Sequence, residues 1–172
     1  MQFGITIPLQ RFLRLPRPPY GEVDDLLFCW EAHRVQLGGR DALLAVNASN
    51  RFLAAACMQP ADWMAWEDVA VASIRGALVA SGFDGREADA YLFFAGAPHV
   101  TRTHGRRPVA FLNVLVDKLL QVSPRLLDAG GALQPELCRL ANERIAGKAA
   151  NFEGAGLAVD RFRADLQRLG IA

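Results

Sequence analysis

The feature that most constrains the fold is a pair of turn signals placed between three apolar segments. A glycine pair at positions 38–39 separates residues 28–37 from residues 41–47, and such a pair is typical of a tight β-hairpin. The polar residues 47–50 form a second turn signal before the apolar segment 51–58. Three apolar segments joined by two short turns predict three consecutive antiparallel strands, a β-meander.

Other elements follow from the spacing of apolar residues. Residues 1–7 place apolar side chains at alternate positions, which predicts a short N-terminal strand. The apolar segment 91–95 and the extended segment 99–103 predict one or two further strands. Apolar residues at helical spacing predict helices over 62–82, 109–122, 135–149 and 157–169.

The order of these segments predicts an α+β fold. We expect an antiparallel sheet made of the N-terminal strand, the three-stranded meander and one or two further strands, with helices packed on one face. Helices dominate the C-terminal half. A length of 172 residues predicts one domain over residues 1–172, large enough to fold without a disulfide or a metal.

Composition excludes several classes of protein. The net charge of +1 provides no overall field that would favour nucleic acid or an anionic membrane surface as the partner. No apolar run reaches the roughly 18 residues of a membrane span, and the N-terminus lacks the pattern of a signal peptide. The cysteines, Cys29, Cys57 and Cys138, fit neither a metal motif nor a disulfide framework. We therefore expect a cytoplasmic protein, and the preference for arginine over lysine suggests a GC-rich bacterial genome.

A basic segment before the predicted helix 109–122 is the candidate site. Positive charge at a helix N-terminus opposes the helix dipole, whereas an anion there is stabilised by free backbone N–H groups. A bound anion would resolve this conflict, and so would acidic side chains from elsewhere in the fold, such as Glu136, Glu143, Glu153 or Asp160. The candidate anion-binding residues are Arg102, His104, Arg106 and Arg107.

Three functions remain open on these residues. The first is a module centred on residues 99–113 that binds an anionic ligand or an acidic protein surface. The second is a hydrolase or phosphoesterase with His99 or His104 as acid or base, since residues 99–101 have the H-x-T form of two-histidine phosphoesterases. Only one such motif is present, and no cofactor, metal or nucleophile motif accompanies it. The third is a structural protein that self-associates, for example as a homodimer.

Several segments together resemble a known but uncharacterised family. They are the Met-Gln-Phe start, Trp30 with residues 39–47, residues 74–82 and residues 102–113. The pattern resembles a family of small bacterial proteins, a domain of unknown function, in which a G-R-x-x-L-L-x-x-N hairpin precedes a helix, a Thr/Ser-Arg segment and a helix with an asparagine. The resemblance covers approximately residues 1–145. It implies no activity, cofactor or catalytic residue, and the segment after Gly147 departs from the family pattern.

Overall fold

A computed structural model of the chain describes residues 1–22, 25–105, 110–111, 127–128 and 130–171. These residues form a five-stranded sheet, a two-stranded ribbon and five α-helices. The strands are β1 (Gln2–Ile5), β2 (Cys29–Leu37), β3 (Arg40–Asn47), β4 (Leu53–Cys57), β5 (His99–Arg102), β6 (Ile145–Ala146) and β7 (Gly156–Leu157). The helices are α1 (Ile7–Phe12), α2 (Trp66–Ala80), α3 (Gly85–Ala95), α4 (Pro135–Asn142) and α5 (Ala158–Arg168).

The predicted meander is confirmed. Strands β2, β3 and β4 pair antiparallel in consecutive order. Gly38 and Gly39 join β2 to β3 with φ values of 56° and 80°. Two successive positive φ angles characterise the tight turn whose twist matches that of the flanking strands, and glycine adopts them without steric cost.

The sheet as a whole is mixed, so the predicted antiparallel sheet is wrong for its other half. The strand order is β4-β3-β2-β1-β5, and β1 pairs parallel with both β2 and β5. Residues 6–28 connect β1 to β2 and include α1. A connection of this length with a helix allows the crossover that parallel neighbours require, whereas a tight hairpin would have forced antiparallel pairing.

The apolar segment 91–95 is helical, so the strand predicted there is wrong. It is the C-terminal half of α3, which begins with a capping box between Asp84 and Glu87. Tyr91 and Ala95, four residues apart, are buried, whereas Phe93 between them is 81% exposed. A run of five apolar residues does not distinguish the two periods by itself, and here the cap determines that the run is helical.

Aromatic side chains from both ends of the chain contribute to the core. Phe3 of β1 packs edge-on against Trp66 of α2, with ring centroids 5.5 Å apart. Phe162 of α5 is fully buried and contacts the rings of Trp30, Phe52 and Tyr91. The C-terminal helix is therefore part of the core. The helix predicted over 135–149 ends earlier, at Asn142.

The outer edge of β4 is covered by polar partners from the segment that leads into α4. The Cys57 N–H donates to the Ala132 carbonyl at 2.7 Å, and the Gln134 N–H donates to the Ala55 carbonyl at 3.2 Å. Asn142 completes this edge with two hydrogen bonds to the backbone of Leu53. These hydrogen bonds occupy backbone groups of β4 that would otherwise be available for pairing with another chain.

The helix predicted over 109–122 lies outside the described residues except for positions 110–111, which are helical. Among the helices that the structure describes, none combines the length and hydrophobicity of a membrane span.

Candidate functional site

A pocket lies at the carboxyl ends of β1 and β5, where Ile5 is paired with Arg102. Its volume is about 430 Å³. We call it the β1–β5 pocket, and its lining consists of Ile5, Thr6, Ile7, Pro8, Gln10, Arg17, Pro18, His33, Arg102 and Thr103. The parallel pairing of β1 with its two neighbours is what brings the ends of these strands to one edge of the sheet.

Arg102 is held in a defined orientation at this pocket. Its Nε donates to the Pro18 carbonyl at 3.0 Å, and its backbone N–H donates to the Pro19 carbonyl at 2.9 Å. The ring of Tyr20 lies against one face of the guanidinium, 4.0 Å from its central carbon. These contacts leave the two terminal nitrogens, Nη1 and Nη2, without a hydrogen-bond partner among the described residues. They form the edge of the guanidinium that binds carboxylates and phosphates with two parallel hydrogen bonds.

His33 adds a second polar group to the same pocket. Its Nδ1 lies 2.7 Å from the hydroxyl of Thr6, the residue that precedes α1. In the tautomer in which Nδ1 accepts from this hydroxyl, Nε2 carries the proton and is a donor. Burial lowers the pKa of His33 below its ordinary value, because a partly desolvated imidazole loses hydration of its charged form.

The pocket has an excess of positive charge. Among the described residues, its lining contains Arg17 and Arg102 but no aspartate or glutamate. Within the part of the chain that the structure describes, neither arginine forms an ion pair. Two of the acids expected to neutralise the basic segment, Glu136 and Glu143, pair with Arg139 instead. Arg102 therefore forms no ion pair with an acidic side chain of the described residues, in contrast to the alternative in which such acids neutralise the basic segment.

His104, another predicted site residue, does not line this pocket. Its backbone N–H donates to Oε1 of Glu31 at 2.6 Å, and its Nδ1 lies 3.1 Å from the same oxygen. Its Nε2 lies 3.0 Å from Oε1 of Gln2. Glu31 is fully buried in β2. Both ring nitrogens of His104 therefore interact within the protein, and this geometry does not favour His104 as an acid or base for a substrate.

Of the remaining candidate residues, His99, Arg106 and Arg107, the structure describes His99. His99 is exposed at the start of β5 and does not line the pocket. Arg106 and Arg107 lie outside the described residues. Of the four predicted anion-binding residues, the structure brings Arg102 to the pocket, together with two residues that were not predicted, Arg17 and His33. No motif marks these two, because their proximity depends on the parallel pairing of β1.

Gly4 allows the side chains of Glu31 and His104 to lie directly on β1. A Cβ atom at position 4 would lie 2.7 Å from Oε2 of Glu31, 2.8 Å from Cα of Thr103 and 2.9 Å from Nδ1 of His104. Contacts this short with a backbone atom and two buried side chains leave no room for even a methyl group. The glycine is therefore required by the close approach of β5 and β2 side chains to β1.

We predict that Gly4→Ala lowers the free energy of unfolding by about 1–3 kcal/mol, since the inserted methyl group must displace buried atoms. Urea denaturation of the wild type and the variant measures this. Gly76→Ala, in helix α2, is the matched control: among the described residues, its new Cβ would meet Leu133, at 3.7 Å. There alanine is expected to stabilise by about 0.5–1 kcal/mol. Equal midpoints for the Gly4 variant and the wild type would contradict the prediction.

The chain belongs to the family described as Domain of unknown function (DUF6933), whose profile matches residues 2–153. The resemblance to a domain of unknown function is thereby confirmed. A comparison with curated proteins gives no match. Membership of this family supplies no activity. Helix α5 lies beyond the matched range although its Phe162 is fully buried.

Proposed function

We propose that this member of the family binds a small anionic ligand in the β1–β5 pocket, with Arg102 as the principal contact. The proposal depends on how the Arg102 guanidinium is oriented and on which of its nitrogens have hydrogen-bond partners. The Pro18 carbonyl and the Tyr20 ring orient it, while Nη1 and Nη2 have no partner among the described residues. Little conformational entropy remains to be lost when a pre-oriented fork binds a carboxylate, sulfonate or phosphate group.

The position of the pocket in the sheet supports the proposal. In sheets with parallel strands, ligands bind outside the carboxyl ends, at the point where the strand order reverses. Here β1 has β2 on one side and β5 on the other, and the pocket lies at the carboxyl ends of β1 and β5, beside His33 of β2. The proposal thus keeps the predicted anion-binding module and moves its centre from the helix entrance to this edge.

We predict that Arg102→Gln weakens the binding of benzenesulfonate and phenyl phosphate by about 10- to 100-fold. Hydrogen bonds to charged groups contribute about 1.5–3 kcal/mol, and each 1.4 kcal/mol corresponds to a factor of ten. Arg102→Lys keeps the charge but loses the fork, so we expect an intermediate affinity. Isothermal titration calorimetry with each anion measures the three dissociation constants.

Arg86→Gln is the matched control for this experiment. It removes the same charge from an exposed position in α3 that does not line the pocket. Its affinity should equal that of the wild type. The proposal fails if the wild type binds none of methanesulfonate, benzenesulfonate, phenyl phosphate and inorganic phosphate, or if Arg102→Gln binds them as tightly as Arg86→Gln does.

We include a reducing, cytoplasmic location in the proposal. Cys29, Cys57 and Cys138 are all buried and free. Burial raises the pKa of Cys29 and of Cys138 to about 12, so both are protonated thiols at neutral pH. Buried, protonated thiols are compatible with a compartment in which disulfides do not form. Self-association stays a prediction.

A further inference from the structure

We infer that the ligand of the β1–β5 pocket is a small organic anion, whose charged group contacts Arg102 and His33 and whose apolar body lies against Ile7, Pro8 and Pro18. This inference rests on the proposed function and adds the chemical class of the ligand to it. Three properties of the pocket support it: its volume, its apolar wall and the presence of His33 as a second polar group in the lining.

The volume exceeds what an inorganic anion fills. A volume of about 430 Å³ falls within the range of about 300–1,000 Å³ that is common for small-molecule sites. Phosphate or sulfate has five non-hydrogen atoms, so either ion would occupy only a small part of this space. A ligand that fills the pocket must extend well beyond its charged group.

The wall beside the charged groups is apolar. Ile7 is 63% exposed, and Pro8 is also exposed, although both line a concave surface. Pro18, on the segment that holds Arg102, is buried. The body of a bound ligand would remove the apolar surface of Ile7 and Pro8 from water, which stabilises the complex in proportion to the area covered.

His33 and Arg102 provide two different kinds of contact to one charged group. Nδ1 of His33 is within hydrogen-bond distance of the Thr6 hydroxyl, while Nε2 has no partner among the described residues. In the tautomer in which Nδ1 accepts from Thr6, the imidazole is a neutral donor above its pKa and a cation below it. Among the described residues, the other charged groups that line the pocket are Arg17 and Arg102.

The test compares ligands that share a sulfonyl group but differ in body and charge. Methanesulfonate, benzenesulfonate and the neutral benzenesulfonamide are titrated into the full chain by calorimetry. We expect benzenesulfonate to bind at least about tenfold more tightly than methanesulfonate, because its ring covers the apolar wall. The sulfonamide should bind more weakly than benzenesulfonate because it lacks the charge. Equal affinities for the two sulfonates would overturn this inference but leave the proposed function intact, whereas no binding of either would overturn both.

Ile7→Ser tests the apolar wall separately from the charge. It should weaken benzenesulfonate by about threefold to tenfold and leave methanesulfonate unchanged, since only the larger ligand reaches the side chain. Met64→Ser is the matched control, because Met64 is 93% exposed and does not line the pocket. If Ile7→Ser changes the two affinities by the same factor, Ile7 does not contact the ligand body and the inference fails.

His33 provides a pH readout, since sulfonates keep their charge near neutral pH. Burial lowers the pKa of His33, so the free pocket holds a neutral imidazole, and a bound anion favours the protonated form. Binding then takes up a proton, and affinity for benzenesulfonate should rise as pH falls from about 8 to about 5.5. His33→Gln should abolish this rise. The same pH dependence in wild type and variant would remove His33 from the site.

Discussion

Phe162→Ala is expected to lower the free energy of unfolding by about 3–5 kcal/mol, the usual cost of removing a fully buried aromatic ring. Phe162 has no exposed surface. Its ring lies 4.9 Å from that of Phe52, 5.0 Å from that of Tyr91 and 5.6 Å from that of Phe83. These neighbours come from three separate segments of the chain, so they cannot close together over the cavity without moving the elements that hold them.

Urea or thermal denaturation followed by circular dichroism measures this effect. Phe93→Ala is the matched control, because Phe93 is 81% exposed and the same substitution there should change stability by about 0.5 kcal/mol at most. A single unfolding transition is expected for the wild type if residues 1–172 form one domain. A loss similar to that of Phe93→Ala would mean that α5 is not part of the core.

Asn142→Ala is expected to destabilise the protein by about 2–5 kcal/mol, because it leaves two buried backbone groups without partners. Asn142 is fully buried. Its Oδ1 accepts from the Leu53 N–H at 2.7 Å, and its Nδ2 donates to the Leu53 carbonyl at 2.9 Å. The side-chain amide thus takes the place of a neighbouring strand at the edge of β4. Leu53 is 1% exposed, so its backbone groups lie away from bulk water.

Chemical denaturation of Asn142→Ala beside Glu143→Ala separates this edge contact from a general effect on α4. Glu143 follows Asn142, is exposed and pairs with Arg139. Loss of that exposed ion pair should cost about 0.5 kcal/mol or less. If the two variants are equally stable, the amide does not satisfy the β4 edge in solution.

The sequence predicts the meander correctly but not the direction of β1, and these two results have different physical causes. The meander follows from local signals, since a glycine pair and alternating apolar residues specify a hairpin within a few residues. The direction of β1 has no such signal, because residues 6–28 permit either a parallel or an antiparallel return. Segment 91–95 is a third case, because five apolar residues are compatible with the periodicity of a strand and with that of a helix. The capping box upstream favours the helix.

The candidate site was predictable only in part for the same reason. Arg102 stands out because basic residues cluster around it in the sequence. Arg17 and His33 carry no comparable signal, and they reach Arg102 only through the crossover that places β1 between β2 and β5. His104 belongs to the same basic cluster, yet two residues further along the chain it contacts the buried Glu31 instead of the pocket.

Local sequence patterns predict the α+β class, the meander and its turns, most of the helices, and the family to which the chain belongs. These properties depend on periodicity and turn chemistry, which act over a few residues. Only the tertiary structure decided the parallel pairing of β1, the contribution of α5 to the core, and the meeting of Arg17, His33 and Arg102 in one pocket. Those depend on contacts between residues far apart in the chain, and short sequence patterns do not reveal such contacts.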